Sequence, residues 1–87
     1  SNNFKAINIT TDQEIYTISG SQFTFSDDKI AGIVDNKNIK LWYLTTGKEI
    51  QTLTGHDKNI KSIKFSPDGK TLVSEGYDGV VNVWKLV

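Results

Sequence analysis

The sequence has no cysteine, no methionine and a single proline. Without cysteine the chain can form neither a disulfide bond nor a thiolate metal site, so packing alone must hold the fold together. Arginine is also absent, and ten lysines balance ten acidic residues to a formal net charge of zero. This balance argues against a nucleic-acid-binding module, which normally has a basic patch and uses arginine to read phosphate and guanine.

Long hydrophobic runs are missing too. No apolar run approaches the roughly 20 residues of a membrane span, and no hydrophobic segment of a signal peptide is visible. We therefore predict no membrane partner and a cytoplasmic protein. The one histidine, His56, has only Asp57 beside it, which is too few ligands for a metal ion. No glycine-rich phosphate-binding pattern occurs, so the sequence predicts no metal and no other cofactor.

The most informative stretch covers residues 55–84, GHDKNIKSIKFSPDGKTLVSEGYDGVVNVW. Its apolar residues Ile60, Ile63 and Phe65 are close to the period-two pattern of a half-buried strand, with one irregular step after Ile60. Asp-Gly pairs at 68–69 and 78–79 are typical of tight turns between hydrophobic runs. No helical period competes along the chain. The sequence predicts an all-β fold of antiparallel strands.

The chain also repeats itself. Residues 3–20 align with residues 38–55 without a gap, and eight of the 18 positions are identical. Repeats of this length indicate an architecture of stacked units, in which each unit buries its faces against its neighbours.

Five groups of residues in residues 55–84 resemble a WD repeat, one blade of a β-propeller. They are the pair Gly55 and His56, residues 65–69 (FSPDG), 72–74 (LVS), 77–79 (YDG), and Trp84. One departure is that Lys85 stands where the aspartate of the Trp-Asp dipeptide is expected. The resemblance implies blades of four antiparallel strands, named a to d from the propeller axis to the rim.

On this frame residues 1–20 contain strands c and d of a partial blade, residues 21–55 form a complete blade, and residues 56–87 contain strands a to c of the next. About three or more repeats are normally needed for a stable array, so we expect further blades. One source is a homo-oligomer of three or four copies, in which residues 14–19 supply the missing strand d of a neighbouring copy. The other source is the remainder of a longer propeller.

The resemblance also assigns roles to polar residues of the last blade. It implies a buried, hydrogen-bonded tetrad of four side chains: His56, Ser74, Asp78 and Trp84. A serine, a histidine and an aspartate together also suggest a catalytic triad, but the structural tetrad explains the same residues. We therefore predict no catalytic residue and no enzyme.

In the complete blade the tetrad is degenerate. Ser21 stands at the place of the histidine, Gly32 roughly at that of the serine and Asn36 roughly at that of the aspartate, so only Trp42 remains. We expect this blade to be less rigid around strands b and c. Five aromatic residues are expected in the core: Phe23, Phe25, Trp42, Phe65 and Trp84.

Function is then expected in the loops. In propellers of this kind the d–a and b–c loops meet on one face and commonly hold partners. The predicted partner-binding residues are Asp57, Lys58, Asn59, Glu75 and Tyr77 in the last blade and Asp35, Asn36 and Lys37 in the complete one. The resemblance favours a non-catalytic scaffold that binds a protein or peptide. A self-assembling propeller fragment and a propeller that binds a small ligand or glycan remain as alternatives.

Overall fold

The computed structural model describes residues 2–8, 13–27 and 29–86, and in this part of the chain it contains strands and turns but no helix. The first sheet pairs β1 (Asn2–Asn8) with β2 (Gln13–Gly20). The second sheet has the order β3 (Phe23–Phe25), β4 (Ile30–Asp35), β5 (Asn38–Tyr43) and β6 (Glu49–Thr54). The third sheet has the order β7 (Ile60–Phe65), β8 (Thr71–Gly76) and β9 (Val81–Lys85).

All observed strand pairs are antiparallel, which confirms the predicted all-β fold. Among the described residues no helix is long and apolar enough to cross a membrane. The division into blades at residues 1–20, 21–55 and 56–87 stays a prediction, although three sheets follow one another in that order. The connection at residues 9–12 lies outside the described residues.

The irregular step predicted after Ile60 is a β-bulge. Ile60 pairs with Gly76, whereas Ser62 already pairs with Glu75, so β7 has one extra residue at this point. The bulge returns Ile60 to the face of the sheet that also carries Ile63 and Phe65. The apolar residues of β7 therefore share one face despite their uneven spacing.

The core lies between the second and third sheets. Val34, Ile39, Leu41 and Leu53 of the second sheet cluster with three residues of the third sheet: Ile60, Phe65 and Leu72. Burial of apolar area is the main force that holds two such faces together.

Two further contacts join the same two sheets. The backbone N–H of Phe65 donates to Thr24 Oγ1 at 3.1 Å. Leu72 lies so close to Gly32 that a Cβ on that glycine would be 3.0 Å from Leu72 Cδ1. Because Gly32 has no side chain, it lets the two sheets approach closely.

The pairing register shows which residues of the two sheets are equivalent. Trp42 pairs with Ala31 and Trp84 pairs with Leu72, so the positions of Ile39 and Leu41 in the second sheet are taken by Val81 and Val83 in the third. Ile39 and Leu41 are 0% and 3% exposed, whereas Val81 and Val83 are 57% and 65% exposed. The third sheet covers the face of the second sheet that carries Ile39 and Leu41. The corresponding face of the third sheet, which carries Val81 and Val83, is exposed.

The expectation that Phe25 is a core residue is wrong, since half of it is exposed (50%). Phe65 occupies the same place in the third sheet and is 6% exposed, because the four-stranded second sheet covers it. The first sheet, which has only two strands, lies on the other side of the second sheet. The two sheets approach each other where Gly20 of β2 lies against Ile33 of β4.

The turn between β7 and β8 is fixed by side chains. The Ser66 hydroxyl donates to Asp68 Oδ1 at 2.6 Å, and the N–H of Lys70 donates to the same oxygen at 2.9 Å. Gly69 has φ = 72°, the left-handed conformation that the Asp-Gly pair predicts. These two hydrogen bonds, the one from Ser66 first, hold the pKa of Asp68 below its usual value.

We expect the substitution Asp68→Asn to change how stability depends on pH. Because the pKa of Asp68 is lower in the folded state than in the unfolded state, its contribution is present above the unfolded pKa and is lost as the pH falls through the folded pKa. The midpoint of urea unfolding should therefore fall less between about pH 5 and about pH 2 in the variant than in the wild type. Parallel curves for the two proteins would contradict this prediction.

Candidate functional site

The third sheet contains a buried hydrogen-bonded group. The indole N–H of Trp84 donates to Ser74 Oγ at 2.8 Å, and His56 Nε2 lies 2.6 Å from the same oxygen. Ser74 is fully buried and His56 is 8% exposed. Since an indole N–H can only donate, the serine oxygen accepts from Trp84 and its own proton remains available for the histidine nitrogen. The group ties β8 and β9 to the segment that precedes β7.

Asp78, the fourth residue of the predicted tetrad, is held by a different bond. Its Oδ1 accepts from the N–H of Val80 at 3.1 Å, which fixes the turn between β8 and β9. Gly76 brings Asp78 close to the histidine: a Cβ on Gly76 would lie 2.6 Å from Asp78 Oδ1 and 3.3 Å from His56 Nδ1. The common role of the four residues as a structural tetrad stays a prediction.

The second sheet differs from the third at the serine position. Ser74 is two residues beyond the partner of Trp84 on β8, and the residue two beyond the partner of Trp42 on β4 is Ile33. The expectation that Gly32 takes the place of the serine is therefore wrong by one residue. Ile33 has no hydroxyl, and Trp42 Nε1 is buried without a hydrogen-bond partner within the described part of the chain. An unpaired buried N–H costs free energy.

Five of the predicted partner-binding residues meet in one cleft. It has a volume of about 650 Å³ and is lined by Lys37, Asp57, Lys58, Asn59, Tyr77 and Asp78. We call it the loop cleft. One wall is the turn between β4 and β5, the other is the turn between β8 and β9, and the connection from β6 to β7 runs between them. Asp78 was predicted only as a member of the tetrad. Its place in the lining of the loop cleft was not predicted.

Backbone hydrogen bonds hold the three segments of the loop cleft together. The N–H of Ile60 donates to the carbonyl oxygen of Asn36 at 2.8 Å, which ties the connection to the first wall. The N–H of Tyr77 donates to the carbonyl oxygen of Asn59 at 3.0 Å, which ties it to the second. Tyr77 itself is 73% exposed. The cleft thus offers an exposed aromatic ring on a backbone that is already ordered.

Three predicted residues do not line the loop cleft. Asp35 forms an ion pair with Lys40, with 3.4 Å between Oδ2 and Nζ. Asn36 contributes its backbone and adopts a positive φ of 58°, which asparagine tolerates better than most residues. Glu75 is half-buried near the end of β8. In the described part of the chain no group of three histidine, aspartate or glutamate residues is placed to hold a metal ion.

The arrangement of the sheets identifies the class of protein. Consecutive antiparallel sheets of up to four strands, of which the second and third pack face to face, are typical of β-propeller blades. Residues 47–85 match the family model described as WD domain, G-beta repeat. Residues 47–85 are therefore identified as a WD repeat, and the sheets together resemble about two blades of a WD-repeat propeller.

Comparisons with known proteins agree with this. The chain is 54% identical over 41 residues to the Lissencephaly-1 homolog of Heterostelium pallidum, which is 47% of this chain and 10% of that protein. It is 44% identical over 48 residues to the DDB1- and CUL4-associated factor 13 of Dictyostelium discoideum, which is 55% of this chain and 11% of that protein. The crystal structure of RRP9 WD40 repeats covers 95% of this chain with a TM-score of 0.80, at 20% identity and over 29% of its own length. The chain thus spans about a tenth of each of the two relatives and under a third of the structure.

Proposed function

We propose that this chain is a non-catalytic interaction module that binds a protein or peptide through the loop cleft. The observation that supports this most is the exposed ring of Tyr77 on a backbone fixed by hydrogen bonds to its neighbours. Tyrosine is enriched among the residues that contribute most to binding. An ordered backbone lowers the entropy cost of association.

The family supports the same proposal. WD-repeat proteins include interaction scaffolds, and one relative of this chain is named as a factor associated with DDB1 and CUL4. That description belongs to the whole relative, of which this chain spans 11%. For this chain the loop cleft is the place where we expect a comparable association.

Peptides selected on the 87-residue chain should depend on Tyr77. We would select binders from a random-peptide display library and measure their affinity for the wild type and for Tyr77→Ala. We expect the variant to bind about tenfold more weakly or worse, since truncation of a central interface tyrosine commonly costs more than about 1 kcal/mol.

Tyr43 offers a matched control. It is also an exposed tyrosine (46%), but it lies at the end of β5 away from the loop cleft. Tyr43→Ala should leave the affinities unchanged. If no selected peptide distinguishes Tyr77→Ala from Tyr43→Ala, the interaction function proposed for this cleft is wrong.

A second candidate function is self-assembly into a propeller of several copies. The open valine face favours it, because Val81 and Val83 stand where Ile39 and Leu41 are fully buried in the second sheet. The fourth strand of the third sheet would come from β2 of a neighbouring copy, whose sequence repeats that of β6 and which would exchange its pairing with β1 for a pairing with β9.

Light scattering over a dilution series tests this candidate. A ring predicts a discrete mass of about three or four chains, and the double substitution of lysine for Val81 and Val83 should reduce it to one chain. Thr52→Lys, on the exposed part of β6, is the control that should leave the mass unchanged. A monomeric wild type at all concentrations would rule out self-assembly.

A further inference from the structure

The two walls of the loop cleft carry opposite charge. On the first wall Asp35 is paired with Lys40, and Lys37 is the cation that lines the cleft. The second wall contains the carboxylate of Asp78, and the half-buried Glu75 lies outside the lining of the cleft. Between the walls Asp57 and Lys58 offset each other.

The second wall combines an aromatic ring with a carboxylate. Tyr77 is 73% exposed and is followed directly by Asp78, whose carboxylate is oriented by its hydrogen bond from the N–H of Val80. A guanidinium group fits such a pair, since it can stack on the ring and donate to the carboxylate at the same time.

The same charges disfavour other ligands. A phosphate group or a run of acidic residues would be repelled by Asp57 and Asp78, and a run of basic residues would be repelled by Lys37 and Lys58. Charges placed in this way select among partners more than they add affinity.

We infer that the loop cleft selects a peptide segment with an arginine for Tyr77 and Asp78 and an acidic residue for Lys37. This inference rests on the proposed interaction function and names the chemistry of its partner. The arginine lies against the second wall, the acidic side chain reaches the first, and the backbone of the segment crosses the connection from β6 to β7.

Defined probe peptides test the inference. The first series holds one arginine and one aspartate separated by different numbers of alanines, and two control series replace either the arginine or the aspartate by alanine. Titration is followed by the amide NMR signals of Lys37, Asn59 and Tyr77. We expect the best peptide with both charges to bind about threefold to tenfold more tightly than either control at low salt, and this advantage to shrink as salt is added.

Variants of this chain locate the contact of the peptide aspartate. Lys37→Ala should remove the advantage given by the aspartate and leave the binding of the arginine-only peptide unchanged. Lys48→Ala removes the same charge at the opposite end of the second sheet and should change nothing. Such a cycle isolates the contact between the peptide aspartate and Lys37.

Two results would overturn the inference. One is an aspartate-only peptide that binds as tightly as the peptide with both charges. The other is a set of display-selected, Tyr77-dependent peptides without the paired charges; in that case the interaction function stands and only the partner chemistry is wrong. Selected peptides that ignore Tyr77 would instead contradict the interaction function itself.

Discussion

Replacing Leu72 by alanine is expected to lower the free energy of unfolding by about 2–5 kcal/mol. Leu72 is 0% exposed and packs between the second and third sheets, where its side chain lies against Gly32. The substitution removes apolar contacts with both sheets and leaves a cavity that the paired strands cannot close. Urea unfolding followed by far-ultraviolet circular dichroism measures the loss.

The neighbouring Val73 is the matched control. It lies on the opposite face of the same strand and is 40% exposed, so Val73→Ala should cost less than about 1 kcal/mol. If Leu72→Ala leaves no folded baseline, Leu72→Met should still show a loss below about 1.5 kcal/mol because it preserves volume. Equal costs at positions 72 and 73 would mean that the two sheets do not pack through this face.

Trp84→Phe is expected to destabilise the chain by about 1–2 kcal/mol more than Trp42→Phe does. Both substitutions replace an indole ring by a phenyl ring, so the change in side-chain size is the same. Only Trp84 loses a hydrogen bond, the 2.8 Å contact with the buried Ser74 Oγ. Trp42 Nε1 has no partner within the described residues, so its removal also removes an unpaired polar group.

The serine provides the control for this comparison. In a Ser74→Ala background the N–H of Trp84 has lost its acceptor, so Trp84→Phe should then cost about as much as Trp42→Phe. Urea unfolding by circular dichroism is the suitable measurement, since tryptophan fluorescence changes with the substitution itself. An unchanged cost of Trp84→Phe in this background would show that the hydrogen bond contributes little.

The strands and turns were predictable because their signals are local. The alternation in β7, including the irregular step after Ile60, follows from which side chains need burial on one face. The turn at Gly69 follows from the conformational freedom of glycine after an aspartate. The resemblance to WD repeats added the expected division into blades, and a family model matches residues 47–85.

The failures arose where a position depends on cross-strand register. Gly32 and Ile33 are adjacent in sequence, and only the pairing of β4 with β5 shows that Ile33 takes the serine position. The consequence, an orphaned indole N–H on Trp42, could not be read from the sequence either. The prediction that Phe25 is a core residue was wrong for a related reason. The exposure of Phe25 depends on how many strands the neighbouring sheet has.

The loop cleft was predictable in part. The resemblance named Lys37 and Tyr77 as loop residues, but they are far apart in the sequence and nothing local predicts that they line one cavity. The hydrogen bond from Ile60 to Asn36 and the bond from Tyr77 to Asn59 bring their segments together. Asp78 lines the cleft in addition to fixing its own turn, and its place in the lining also depends on this arrangement.

The sequence by itself determined the period of the strands, the places of the turns and the repetition of the sheets, because each depends on residues close together in the chain. Only the tertiary structure decided which of the repeated faces is buried. Leu41 and Val83 occupy equivalent positions in equivalent strands, yet one is 3% exposed and the other 65%. The difference comes from the neighbouring sheet, since an apolar face is buried only where another face lies against it.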